Sequence, residues 1–405
     1  MAAKTLNTDS RDAISWLPYE VLGKILSLLV TKQAVSTSVL SKKWRYVFRL
    51  MDTLEFDDSV SLHAEEGEQA RYVFPESFKN CVDRTLALQC DYPIKKFSLK
   101  CHVDEENECQ KACVGRWISN VLERSVLELD LRIKIERGDI CLPPQLFACK
   151  TLVKLTLGTR LFIEKHPSYV SLPSLKFLFM DTIFEYDNFC CVFLAGCPVL
   201  EELSVHHKNL EAPPHTISSP TVKRLLVDYD AAYDPIDMSF DLPNLVYLEY
   251  SDCTSEYYCQ VNLESLVEAK LNLYEAGDFP RRDVTNLIIG IRNVEILHLS
   301  RDSVDVIYSY CRDGLPVFNN LVNLSFGSKN ERGWKLLADL LKQSPKLKTV
   351  IIQDLNGYTD VVSMPLNQVK VLHIVNYGDT HEEFKQFKSF TEGFEGLELV
   401  QVGVV

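Results

Sequence analysis

The chain has 405 residues, 46% hydrophobic and 24% charged, the balance of a folded globular protein rather than a disordered one. Its formal charge of −13 excludes a general nucleic-acid binder, which needs a basic surface to displace counterions. Thirteen cysteines form an odd, scattered set, Met1–Asp12 lacks an apolar targeting core, and no apolar run has the length of a membrane span. These features point to buried thiols in a reducing compartment, cytoplasmic or nuclear, and to no membrane partner.

The charge is unevenly placed: residues 1–50 hold eight Lys/Arg against three Asp/Glu, a net of +5, which leaves −18 for the remainder. Residues 1–11 read as a flexible N-terminus. Over 12–50 the spacing predicts three short helices. Pro18 suits the first turn of the first one, where its missing N–H costs nothing. Leu22, Ile25, Leu26 and Leu29 follow at i, i+3, i+4 and i+7 and make one apolar face. Thr31 offers a hydroxyl to cap the second helix, with Ala34, Val35, Ser38 and Val39 on its inner side. Ser41 does the same for a third helix carrying Trp44, Val47 and Phe48. A core of about forty residues is marginal alone, so the module is expected to complete its burial against a partner.

The ordered series Ile14-Ser15, Leu17-Pro18, Val21-Leu22, Ile25-Leu26-Ser27, Thr31-Lys32, Ala34-Val35, Thr37 to Lys42 and Trp44-Arg45 resembles the F-box of plant F-box proteins that carry leucine-rich repeats. Trp16 and Val30 depart from it, standing where the family commonly has a polar residue and a proline. The resemblance implies docking to the small adaptor of an SCF complex and, through it, to a cullin and a RING subunit. It places Leu17, Pro18, Ile25, Leu26, Val39 and Trp44 at or just behind the adaptor interface. Five basic and no acidic residues between Lys32 and Arg49 suit an acidic adaptor surface.

Residues 51–93 read as an acidic connector and a cap helix. Asp57, Asp58, Glu65, Glu66 and Glu68 suggest a solvated segment, and Pro75 then opens a helix with Phe78, Val82 and Leu86 on one face. A second helix fits Val114, Trp117, Ile118, Val121 and Leu122. From residue 94 a phrase recurs, apolar-x-x-apolar-x-apolar, thirteen times from Ile94-Phe97-Leu99 to Leu397-Val400-Val402, with starts 21 to 32 residues apart. That period is the one expected of leucine-rich repeats. In each phrase the last two apolar residues share one side of a strand and face inward, and the residues between them face outward. One repeat cannot bury its apolar side, whereas stacked neighbours can. The phrases LPSLKFLFM (172–180) and GCPVLEELSV (196–205) are similar to repeats of plant F-box proteins. The array is taken as 94–326, and 327–405 as further repeats resembling the FBD region that closes such chains. The expected fold is α/β: an N-terminal three-helix F-box followed by an irregular leucine-rich-repeat solenoid with a parallel concave β-sheet.

Signatures of catalysis are missing: there is no phosphate loop, no GxSxG elbow, no HExxH and no CxxC pair. Cys101-His102 with Cys109 and Cys113 lacks the tight pairs of a zinc site. No enzyme, cofactor or metal is therefore expected. The third and fifth places of the phrases put Phe177, Phe179, Leu226 and Tyr247 on the outward face, where clustered apolar residues are candidates for holding a protein substrate. The expected role is the substrate-recognition subunit of a cullin-RING ubiquitin ligase. The alternatives are a repeat scaffold or small-ligand co-receptor that binds a partner without delivering it for degradation.

Overall fold

The structure is a computed structural model that describes residues 13–58, 74–89, 92–104, 106–135, 140, 142–162, 169–183, 192–207, 215–229, 237–253, 257–275, 282–311, 313–355, 357–359, 362–378 and 380–404. It divides into two compact units, Met1–Thr159 and Arg160–Val405.

In the first unit a 3-10 turn, Ala13–Trp16, leads into helices α1 (Tyr19–Leu26), α2 (Thr31–Thr37) and α3 (Lys42–Phe48). Pro18 stands at the N-cap of α1, one place before the first turn. Leu22, Leu26, Ala34, Val47, Phe48 and Met51 form the core, with Leu17, Val35 and Trp44 packed on it. Gly23 permits the close approach of α1 to the end of α3, since a Cβ there would stand 3.2 Å from the Leu50 Cβ. The hydroxyl of Ser41 accepts the Trp44 N–H at 3.3 Å, the expected cap of α3. Thr31 departs from expectation. It caps nothing; its buried hydroxyl accepts the Glu55 N–H at 2.7 Å.

Glu55 belongs to β1 (Thr53–Asp57), which runs through the start of the expected connector. Leu54 and Phe56 of β1 are buried. The Asp58 carboxylate accepts the His102 N–H at 2.9 Å, and burial raises its pKa despite that bond. This stretch is therefore strand, not solvated connector. The physical reason is that Met51-Leu54-Phe56 repeats the apolar phrase, which the acidic residues around it obscure. Glu65, Glu66 and Glu68 lie outside the described residues.

β1 pairs in parallel with β2 (Lys96–Val103), β2 with β3 (Glu128–Ile135), and β3 with β4 (Lys154–Phe162). The return helices α4 (Glu76–Leu88) and α5 (Glu108–Leu122) bury Val82 and Leu86, and Val114, Trp117, Ile118 and Val121. Each such side chain contributes roughly 1.5–3 kcal/mol when fully buried. Polar side chains join the helices to the N-terminal module. Gln89, fully buried, donates to the carbonyls of Phe48 at 2.9 Å and Met51 at 3.3 Å. Arg124 donates to the carbonyls of Leu86 and Gln89, satisfying the end of α4.

The second unit holds a parallel sheet of β5 (Phe177–Ile183), β6 (Glu202–His207), β8 (Arg224–Tyr229), β10 (Tyr247–Cys253), β12 (Glu268–Tyr274), β13 (Ile296–Leu299), β14 (Asn323–Phe326), β15 (Thr349–Ile352), β16 (Val371–Tyr377) and β17 (Leu399–Val404). A smaller parallel sheet of β7 (Thr216–Ser218), β9 (Met238–Asp241) and β11 (Tyr258–Asn262) supplies the returns between β6 and β12. Helices supply later ones: α6 (Thr285–Gly290), α7 (Arg301–Tyr310), α8 (Glu331–Gln343) and α9 (His381–Glu392). The change follows local sequence. Ser300 and Asn330 cap α7 and α8, and Thr380 with Glu383 forms a capping box on α9. Behind β14, Trp334 packs against Phe326 of that strand and against Tyr358 and Phe390 further along the chain.

Every expected phrase has become one strand, and β1 adds another. Inward positions such as Leu225, Leu248, Ala269 and Leu297 are buried. Among the described residues β17 pairs on one side only, with β16, and its Val400 and Val402 remain exposed. No helix among the described residues is long and apolar enough to cross a membrane.

The isosteric change Thr31→Val removes only the hydroxyl that satisfies β1, so it should cost about 1–3 kcal/mol of stability in urea unfolding. Burial raises the Cys101 thiol pKa and pushes that of Cys197 up to about 12. Brief alkylation of the native chain, read by mass spectrometry, should therefore label exposed Cys109 well before either of them.

Candidate functional site

Two surfaces stand out, one in each unit. Among the described residues, eleven of the twenty-five exposed large hydrophobics fall on the N-terminal module, between Ile14 and Tyr46. Such a concentration on a folded surface marks an interaction site. Trp16 is 74% exposed, Leu28 86% and Val39 81%. Val39, expected on the inner side of α2, instead follows the end of that helix and projects outward. Ile25 and Pro18 are exposed, while Leu17 and Trp44 are half-buried. Leu26 is wholly in the core; it can support a partner surface from behind but cannot touch one. Tyr19 meets Tyr46 edge-on at 5.1 Å and lies under the Lys43 ammonium at 5.2 Å. Lys43 also reaches the Leu17 carbonyl at 3.4 Å. The face is thus apolar with a cationic border, and sequence reading had singled out neither Tyr19 nor Tyr46.

In the same unit a cavity of about 680 Å³ opens between α2, α4 and the first three strands, with Val30, Lys32, Phe56, Phe78, Lys100 and Arg132 among its walls. In that lining Lys100 pairs with Asp57 at 3.3 Å and Arg132 with Asp130 at 3.1 Å.

In the second unit, strand register brings the four outward candidates onto two adjoining rows. One row runs Phe177, Glu202, Arg224, Tyr247, Glu268; the other runs Phe179, Ser204, Leu226, Glu249, Lys270, His298. Phe177, Phe179 and Leu226 are half-buried. Tyr247 is only 9% exposed, because the Arg224 guanidinium stacks on its ring at 3.6 Å and Lys270 lies 5.4 Å from it. Its hydroxyl donates to Glu249 at 2.6 Å. Burial and that bond raise the Tyr247 pKa. Glu268 faces both Lys270 at 3.9 Å and His298 at 3.4 Å. Beside Phe179, His206 packs on its ring at 4.8 Å and approaches Asp228 at 3.5 Å. The rows are therefore an aromatic and charged mosaic rather than a purely apolar patch. Sequence reading missed Lys270, Glu268, His298 and Asp228, although the third and fifth places of successive phrases were the signal that locates most of them.

The thiol cluster considered for a metal is dispersed. Cys101 is buried on the inward side of β2, His102 alternates to the other side, Cys109 is exposed and Cys113 buried on α5. Among the described residues no group of three His, Cys, Asp or Glu is placed to hold a metal ion. The adjacent pair His206-His207 divides as strand alternation requires: His207 is buried beside Tyr229.

Residues 14–55 match the F-box domain family, and residues 114–264 match the family described as FBD-associated F-box protein At5g56370, LRR repeats. The chain is 67% identical to the F-box/LRR-repeat protein At3g60040 of Arabidopsis thaliana, over 100% of this chain and 92% of that protein. It is 64% identical to the F-box/LRR-repeat protein At1g06630 of the same plant, over 99% of each. A third, the F-box/LRR-repeat protein At2g42730 of Arabidopsis thaliana, is 39% identical over 98% of this chain and 92% of its own length.

Burial is the main cause that lowers the His298 pKa, so the folded state favours the neutral ring. The unfolded chain then binds more protons as pH falls below about 6.5, and the stability this histidine contributes is lost as pH passes down through its folded value. Unfolding midpoints measured between pH 7.5 and 5 should fall less for His298→Gln than for the unaltered chain.

Proposed function

The chain belongs to the F-box/LRR-repeat family, and from that premise we propose that it is the substrate-recognition subunit of an SCF-type cullin-RING ubiquitin ligase, acting in the cytoplasm or nucleus. The exposed apolar face between Ile14 and Tyr46 carries this reading. A surface of that kind is costly to leave in water, and its cationic border through Lys43 suits an acidic adaptor. The F-box docks there, with Ile25, Pro18 and Val39 in contact and Leu17, Leu26 and Trp44 supporting them. The adaptor links it to the cullin and the RING subunit. The repeats hold a protein substrate through the mosaic around Phe177, Phe179, Leu226 and Tyr247. The chain supplies no catalytic group; it raises the effective concentration of a substrate lysine near the charged conjugating enzyme.

A second reading, a co-receptor for a small ligand, draws support from the cavity of about 680 Å³, a volume within the range of small-molecule sites. It is compatible with adaptor docking.

Titration calorimetry of the full chain with a purified SCF adaptor tests the first reading. Ile25→Asp with Val39→Asp alters exposed positions, so the fold should persist while affinity drops at least about tenfold, or ~1.4 kcal/mol. Leu26→Asp, by contrast, should unfold the module, because it buries an unpaired charge in the core. An unaltered chain that ignores the adaptor, or a double variant that binds it normally, would contradict the proposal.

A further inference from the structure

Arg224 occupies an unusual position on the outward face. Its guanidinium lies flat on Tyr247, with Cζ 3.6 Å from the ring centroid. The ring is itself held by the bond from its hydroxyl to Glu249. Among the described residues no carboxylate pairs with Arg224 and no acceptor takes its N–H groups. Its register neighbour Glu202, on β6, is exposed and makes no ion pair with it. A planar fork of donors is thus held in place at a half-buried site with its hydrogen-bonding capacity unused. Stacking removes much of the side-chain freedom that an arginine otherwise loses on binding, and the fork matches a carboxylate in two parallel bonds.

Apolar seats stand close by. Phe177 lies in the same row two strands away, about 10 Å by ordinary strand spacing, and Phe179 and Leu226 lie in the adjoining row. Three residues of extended chain span about 10 Å. The surrounding charge narrows the anion further. Glu202, Glu249 and Glu268 flank Arg224 and Lys270, so a singly charged carboxylate is accommodated where a doubly charged group would meet repulsion.

Resting on the substrate-receptor reading above, we infer that Arg224 is the anion hook of the recognition face. The substrate segment presents an aspartate or glutamate to it, about three residues from an aromatic or aliphatic side chain seated on Phe177 and Phe179.

The experiment is selection of random octapeptides displayed on phage against the immobilised full chain, followed by fluorescence anisotropy with labelled synthetic copies of the recovered sequences. Recovered peptides should carry Asp or Glu about three positions from Phe, Tyr or Leu. Replacing that acid by its amide, or making Arg224→Ala, should weaken binding at least about tenfold, the scale of a charge-assisted hydrogen bond. Arg224→Lys should restore only part of it, since an ammonium neither forks nor stacks. The same variants should bind the SCF adaptor normally, which separates this inference from the ligase reading; failure of the latter appears as an unaltered chain that does not bind adaptor. Recovery of no peptides, recovery of peptides without the acid, equal binding to Arg224→Ala, or tighter binding of a phosphoserine replacement would each overturn it.

Discussion

Each repeat carries its apolar residues on one side of a single short strand, and no strand can keep them from water alone. Every other feature answers to that constraint. Parallel pairing in register sets Phe97 beside Leu129 and Leu155, and further along Leu203 beside Leu225 and Leu248. The returns lie behind the inward rows as helices or as the small second sheet. A sheet built this way has open edges, where unpaired backbone groups and inward side chains lack a neighbour.

At the edge formed by β1, the N-terminal module meets that need. Thr31 satisfies Glu55, and Gln89 joins α4 to the end of α3. Met51 belongs at once to the helical core and to the first apolar phrase. The F-box helices and the first strands therefore share one compact unit. A partner seated on the exposed apolar face would be fixed with respect to those strands rather than tethered by a loose connector.

The outward positions are freed from this duty, because alternation along a strand separates them from the core. Only solvent and neighbouring outward residues constrain them, so the same scaffold can carry different recognition chemistry. Here the central strands use that freedom for a linked set of ring and charge contacts, from Arg224 on Tyr247 to Glu268 with Lys270 and His298.

Much of this was legible in the sequence. The spacing of apolar residues decided the strands and their inward faces, since a period of two and a recurring phrase are properties of local chemistry. Ser41 announced its own helix. The likeness from Ile14 to Arg45 identified the module. What the sequence hid were interactions between segments distant along the chain. Thr31 looked like a cap, and only the packed structure brought it to a strand more than twenty residues on. Met51-Leu54-Phe56 was masked by acidic neighbours until burial separated inward from outward residues. Leu26 and Val39, both apolar and both in the motif, were sorted into core and surface by helix ends that periodicity does not locate. Tyr247 read as exposed because its cover, Arg224 and Lys270, comes from adjacent strands. Periodicity is fixed by neighbours in sequence, whereas capping, burial and pairing are fixed by neighbours in space, and those the tertiary structure alone decided.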